Sequence, residues 1–265
     1  MTAGAQPSVR NLTDLTGRVA VVIGGTSGLG RAIALGVAQA GADVVATGRR
    51  ETLVGETTAA IERLGRRTLA HVVDVSARTS IQALCETVCD RLGGVDILVN
   101  AAGRTQRRPT ADVARDEWDA ILETNLTGTL YACQAFLAPL ARHRRGRIVN
   151  IASLSSFVAF HEVAAYGASK AAVLSLTRSL GTEWAPNGVN VNAVVPGVFR
   201  TDLNAALLDG TDRGRELLMR TPMGRFGRAD EVVGAAVFLA SDAASFITGQ
   251  SIVVDGGFLA SGVNS

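Results

Sequence analysis

Residues 18–30 read Arg18-Val19-Ala20-Val21-Val22-Ile23-Gly24-Gly25-Thr26-Ser27-Gly28-Leu29-Gly30. A short apolar run rich in valine enters a glycine turn, and a helical pattern follows over Leu29–Ala40. Glycines at such a junction permit a tight turn and let backbone come close to a pyrophosphate. The helix start then presents unpaired N–H groups and the positive end of its dipole to the anion. The spacing is Gly-x-x-x-Gly-x-Gly rather than the commoner Gly-x-Gly-x-x-Gly. No Lys-Ser or Lys-Thr follows the last glycine, so a Walker-type loop is excluded. The turn predicts a dinucleotide site, with Gly24, Thr26, Ser27, Gly28, Leu29 and Gly30 lining it.

Outward from this turn, short apolar runs alternate with helical stretches. The predicted strands are Arg18–Ile23, Asp43–Thr47, Thr68–Val73, Val95–Asn100, Arg147–Ala152, Val189–Val195 and Gln250–Val254. They are continuous in Val and Ile, as strands buried on both faces of a parallel sheet must be. Helices are predicted at Leu29–Ala40, Glu51–Leu64, Ala77–Leu92, Trp118–Leu140, Val163–Trp184 and Ala229–Ala240. The fold class is therefore α/β: a single-domain, Rossmann-like, doubly wound parallel sheet of about seven strands with helices on both faces. Residues 1–14 read as a tail and 15–265 as one dinucleotide-binding catalytic domain. Phe199–Phe226 is an insertion between the last two strands, placed to cover a ligand.

The chain has 26 basic and 24 acidic residues, a balance that argues against nucleic acid as a partner. No apolar run reaches membrane-spanning length and no secretory signal is visible, so a cytoplasmic protein without membrane contact is expected. Cys85, Cys89 and Cys133 have no metal-like clustering with His and read as buried thiols, so no metal is expected. Of the 26 basic residues, 25 are Arg and one is Lys170.

Two local patterns carry chemistry. The second predicted strand ends in Thr47-Gly48-Arg49-Arg50, without the carboxylate that would hold an NAD ribose. Guanidinium forks suit a 2′-phosphate, so Arg49 and Arg50 favour NADP over NAD; the alternative is two solvated surface arginines. Tyr166 and Lys170, four apart on a predicted helix, face the same way. A phenol is a poor acid or base near neutrality, and a neighbouring ammonium would lower its pKa into working range.

These motifs together resemble the short-chain dehydrogenase/reductase family, main NAD(P)-dependent branch, from about Thr16 to Gly257. Gly24, Gly28 and Gly30 match its glycine turn. Asp74 with Val75 matches the acidic residue that holds the adenine amino group. Asn100-Ala101-Ala102-Gly103 matches the family's Asn-Asn-Ala-Gly, with Ala in the second place. Pro196-Gly197 and Thr201, with Phe199 between them, match the segment that packs on the nicotinamide. Ile23 stands where the family usually has Thr, which removes a hydroxyl that would brace the turn.

The resemblance implies a catalytic set of Asn125, Ser153, Tyr166 and Lys170. Tyr166 would transfer a proton to or from the substrate oxygen, and Ser153 would hold that oxygen. Lys170 would tune Tyr166 and bind the nicotinamide ribose, and Asn125 would position a relay water. It also implies a homotetramer, with the alanine-rich helix Val163–Trp184 and the Val254-Asp255-Gly256-Gly257 ending at its interfaces.

For substrate, the segments Pro196–Leu208 and Arg220–Arg228 resemble the gluconate 5-dehydrogenase group of the family, which acts on sugar acids and polyols. Arg104, Arg107, Arg200 and His161 are the candidate polar contacts, while Phe157, Phe160 and Phe199 argue for an apolar substrate. The alternatives are a 3-oxoacyl thioester (acyl-carrier-protein) reductase and, in another class, a catalytically silent nucleotide-sensing regulator.

Overall fold

The computed structural model describes residues 12–201 and 204–264. Its sheet is parallel and, among the described residues, six-stranded: β1 Val19–Ile23, β2 Asp43–Thr47, β3 Ile97–Asn100, β4 Gly146–Ile151, β5 Val189–Pro196 and β6 Ser251–Val254, in the order β2-β1-β3-β4-β5-β6. From β1 the chain winds outward to β2, then crosses back to begin β3 on the other side. This reversal opens a crevice at the carboxyl ends of β1 and β3, where such sheets hold ligands.

Side chains alternate along β1, yet both faces are covered. Ala20 and Val22 pack with Ile33, Ala34 and Val37 of α1 (Gly28–Gln39), with Ile61 of α2 (Glu51–Arg63), and with Ala236 and Leu239 of α9 (Val233–Ala240). Val19, Val21 and Ile23 face Ile81, Leu84 and Val88 of α3 (Arg78–Leu92), Phe136 and Leu140 of α5 (Gly128–Ala141), and Leu180 and Trp184 of α6 (Ala164–Trp184). Double burial explains why the strands read as unbroken apolar runs. The amino-terminal edge is held by charge: Asp96 accepts from the Val19 N–H at 3.0 Å and pairs with Arg145 at 3.1 Å. Cys85 and Cys133 are buried and Cys89 half-buried; burial pushes the Cys85 and Cys133 thiols up to about 12.

Two expectations change. Thr68–Val73 is not a strand. Its backbone–backbone hydrogen bonds to the β2 side lie only near its ends, Val44 N–H to the Arg67 carbonyl at 3.0 Å and Val73 N–H to the Gly48 carbonyl at 3.0 Å, with an isolated bridge between Gly48 and Val72; between them the Thr47 hydroxyl donates to the His71 carbonyl. Val73 is buried while Val72 is exposed, so this outer segment lacks the two-sided cover of the inner strands. The predicted helix Trp118–Leu140 is in fact α4 (Arg115–Leu122) and α5 joined by a π-helical turn, Glu123–Thr127, which carries Asn125. The expected tail lies outside the described residues up to residue 11, and Leu15 is already docked, fully buried, its N–H bonded to the Ala40 carbonyl at 2.8 Å.

A buried polar chain crosses the sheet. Asn100 Nδ2 donates to Asn150 Oδ1 at 2.9 Å, and Asn150 Nδ2 donates to Thr177 Oγ1 at 3.0 Å. Asn150→Ala would remove both of these buried bonds without solvent to replace them. It is expected to lower the unfolding free energy by about 1–3 kcal/mol in urea titration, and an unchanged midpoint would refute the account.

Candidate active site

The crevice at the strand ends is a cleft of about 920 Å³. One end is formed by the glycine turn. Gly24 has φ +79°, and a Cβ there would overlap the backbone of Ala101 and Ala102. A Cβ on Gly30 would overlap the Gly24 carbonyl, so glycine is required for α1 to start this close to β1. The turn is tied by backbone to both neighbours: Gly24 N–H to the Thr47 carbonyl at 2.8 Å, and Ala101 N–H to the Ile23 carbonyl at 2.8 Å. These bonds brace the turn although Ile23 lacks a hydroxyl. Ser27 precedes α1 in extended conformation without capping it, which leaves the first N–H groups facing the cleft end. Ser27 Oγ instead accepts from Arg50 at 2.9 Å.

Thr26, Ser27, Gly28, Leu29, Arg49, Arg50, Asp74, Val75, Ala101, Gly103, Pro196, Gly197, Phe199 and Thr201 all line the cleft, as expected for cofactor contacts. Asp74 is held by an Asx turn, its Oδ1 accepting from the Ser76 N–H at 3.0 Å. Thr201 is braced by Asn204, whose Oδ1 accepts from its N–H at 2.8 Å and whose Nδ2 donates to the Phe199 carbonyl at 2.8 Å. Asn100 departs from expectation. Its amide turns inside the sheet toward Asn150 and Cys133, because the backbone of β3 points that side chain into the α5 layer.

The middle of the cleft holds Ser153, Tyr166 and Lys170. Ser153 follows β4, and Tyr166 and Lys170 lie one turn apart on α6. The Ser153 hydroxyl neighbours the Tyr166 side chain and favours its ionised form. Lys170 is 5% exposed; its Nζ donates to the Ile151 carbonyl at 2.7 Å and stands 5.8 Å from the Tyr166 ring centre. Burial lowers the Lys170 ammonium to about 8. The depression of Tyr166 expected from Lys170 is reversed. Burial dominates and raises the phenol, and the Ser153 hydroxyl offsets part of that rise.

Asn125 lies on the π-helical turn. Its Oδ1 accepts from the Arg104 N–H at 2.8 Å, and its Nδ2 donates to the Arg104 carbonyl at 3.0 Å and Ser169 Oγ at 2.9 Å. The side chain is fully buried and clamps the loop after β3. The π turn aims it at that loop.

At the far end, the predicted substrate contacts separate. Arg104 and Arg107 line the cleft, but Arg107 is paired with Glu162 at 2.7 Å. His161 is 79% exposed and lies outside the lining, 3.6 Å from Glu162. Arg200 points away to Asp209 at 2.6 Å and is likewise not part of the lining. Phe160 and Phe199 form cleft wall, whereas Phe157 is exposed outside it. Sequence reasoning missed Arg213, Leu208 and Leu217, which line the cleft from α7 (Ala205–Leu208) and α8 (Asp212–Met219). The four-residue spacing of Arg213 and Leu217 was the available signal.

Comparison with known proteins agrees with this geometry. The family model described as enoyl-(acyl carrier protein) reductase matches residues 23–259. The 2-dehydro-3-deoxy-D-gluconate 5-dehydrogenase of Dickeya dadantii (strain 3937) is 38% identical over 95% of this chain and 99% of its own. The D-threitol dehydrogenase of Mycolicibacterium smegmatis is 40% identical over 97% of this chain and 99% of its own. Among solved structures, a gluconate 5-dehydrogenase from Burkholderia cenocepacia J2315 in complex with NADP and tartrate superimposes with a TM-score of 0.92. It is 36% identical, covering 96% of this chain and all of that one.

Proposed function

The chain belongs to the short-chain dehydrogenase/reductase family, and from that premise we propose that it interconverts a secondary alcohol and a ketone of a sugar acid or polyol, with NADP(H) and with Tyr166 as general acid and base. The observation that carries this reading is the meeting of Ser153, Tyr166 and Lys170 in one cleft, with Lys170 Nζ 5.8 Å from the Tyr166 ring centre, between the glycine turn and an arginine-lined mouth. The same trio argues against a silent nucleotide sensor. The relatives named for sugar acids and polyols favour those substrates over a 3-oxoacyl thioester.

The residues present suit a dinucleotide. The turn leaves no room for a methyl group at Gly24 or Gly30, and the adenosine end carries Arg49 and Arg50. Those two guanidiniums would hold a 2′-phosphate, the N–H groups opening α1 would take the pyrophosphate, and Lys170 would donate to the nicotinamide ribose. NADP(H) supplies the hydride chemistry when bound. Ser153 holds the substrate oxygen beside the Tyr166 hydroxyl. In oxidation Tyr166 accepts the hydroxyl proton, and in reduction it returns a proton to the forming alkoxide.

The segment 199–226 would cover the substrate end, supported by the cleft-lining Asn204, Leu208, Arg213 and Leu217. Among the described residues no helix is long and apolar enough to cross a membrane, and we assign the protein to the cytoplasm. A homotetramer is supported by an exposed stripe on α6, Ala164, Ala168, Ala171 and Ser175, and by fully exposed Phe246 with half-exposed Val253 near the free edge of β6.

Four outcomes are expected. Tyr166→Phe should lower kcat by about 10²–10⁴-fold while leaving the NADPH dissociation constant within twofold. In the unmutated protein, alcohol oxidation should rise with pH and ketone reduction should fall as pH passes the raised Tyr166 pKa; unchanged turnover in Tyr166→Phe would refute the mechanism. Arg49→Ala should weaken kcat/KM for NADP by about tenfold and leave that for NAD nearly unchanged, whereas an unmutated protein that prefers NAD would contradict the phosphate assignment. Light scattering should read a particle of four 27.5 kDa chains, and a monomer would overturn the assembly.

A further inference from the structure

A chain with nearly balanced charge gathers Arg49, Arg50, Arg104, Arg107, Lys170 and Arg213 around one cleft, and Asp74 is the single carboxylate among the described lining residues. Arg49, Arg50 and Asp74 belong to the adenosine end and Lys170 to the reacting centre. Three guanidiniums remain at the mouth, and their surroundings differ.

Arg107 is neutralised by Glu162. Beyond the lining, Arg200 is held by Asp209, Arg215 by Asp212, and Arg220 lies over the Phe258 ring at 5.0 Å. Arg104 and Arg213 line the cleft, and among the described residues neither has an ion-pair partner. Arg104 is exposed to solvent, whereas Arg213 is half-buried.

The helix that carries Arg213 makes its direction a consequence of sequence. On α8, Asp212, Arg215 and Glu216 are exposed, while Leu217 is buried and Leu217 and Arg213 both line the cleft. Thr211 caps this helix, its Oγ1 accepting from the Gly214 N–H at 2.9 Å, which fixes the first turn and with it the position of Arg213. Leu217 and Leu208 belong to the apolar cluster that includes Phe160 and Phe258. A guanidinium beside such a wall is partly stripped of water without gaining a carboxylate, an arrangement that favours a bound anion. Its place in the first turn of α8 adds the positive helix end to the same field.

We propose that Arg213 is the specificity-determining residue of this enzyme, taking the carboxylate of an anionic polyhydroxy substrate in a charge-assisted fork while Tyr166 and Ser153 handle the reacting hydroxyl. Arg104, whose backbone is clamped by Asn125, supplies a second, solvent-side cation for the same group. The inference rests on the sugar-acid reading above and narrows it from sugar acids and polyols to the acids. A neutral polyol would leave Arg213 desolvated and without a counter-charge.

The test compares aldonates with alditols of the same chain length, such as D-gluconate with D-glucitol, in the unmutated protein, Arg213→Ala and Arg213→Lys. Arg213→Ala should raise KM for the aldonate by about 10–100-fold with kcat changed less than about threefold, and leave alditol kcat/KM within about twofold. Arg213→Lys should recover part of the loss, because it keeps the charge without the fork. NADPH titration by fluorescence, unchanged in both variants, establishes that the cleft is intact. Equal losses on acid and alcohol, or an aldonate KM that does not move, would overturn the assignment and leave the sugar-acid reading standing. An unmutated protein that oxidises alditols but no aldonate would overturn both.

Discussion

The close approach of backbone at the glycine turn is the constraint on which the cleft depends. Gly24 passes so near the Ala101–Ala102 backbone that a methyl group could not fit, and Gly30 repeats this against the Gly24 carbonyl. These two contacts bring the start of α1, the end of β1 and the loop after β3 to one place. The helix N-terminus then faces an opening lined by backbone rather than side chains, the condition for holding a pyrophosphate close. Every other functional group is positioned relative to this point: Arg49 and Arg50 after β2, Ser153 after β4, and Tyr166 and Lys170 on α6.

The electrostatics follow from burial as much as from charge. Lys170 sits within protein with a single carbonyl partner, and burial brings its pKa to about 8, close to the operating range of an acid–base relay. Tyr166 moves the other way, upward, because desolvation outweighs the effect of the Ser153 hydroxyl. Burial thereby disfavours the charged form of both groups, lowering the ammonium and raising the phenol. A cofactor 2′-phosphate and a substrate carboxylate would complete the field by neutralising the arginines at either end.

Much of the fold was legible in one dimension. Strands buried on both faces must be continuously apolar, and β1, β2 and β5 were readable within a residue or two for that reason. The segment 68–73 misled because its Val and Leu content is that of a strand, while its backbone–backbone hydrogen bonding to the β2 side lies only near the ends. The interruption by the π turn at Glu123–Thr127 has no compositional signature, since helical periodicity continues on both sides. Within the site, Tyr166 and Lys170 were visible because their spacing is local. Arg200 and His161 fall outside the cleft lining, and Arg107 lies within it but paired with Glu162, because proximity in sequence to a pocket segment says nothing about which way a side chain turns or which carboxylate it meets.

The sequence alone determined the architecture class, the glycine turn and the Tyr166–Lys170 pair, because each depends on periodicity or short spacing, while Ser153 came only through the family resemblance. Tertiary structure decided which arginines remain available to a ligand. That outcome depends on counter-charges brought from distant positions, Glu162 to Arg107 and Asp209 to Arg200, and on an apolar wall beside which Arg213 is half-buried and, among the described residues, without an ion-pair partner. Pairing across the fold is a three-dimensional property, and a list of 25 arginines does not contain it.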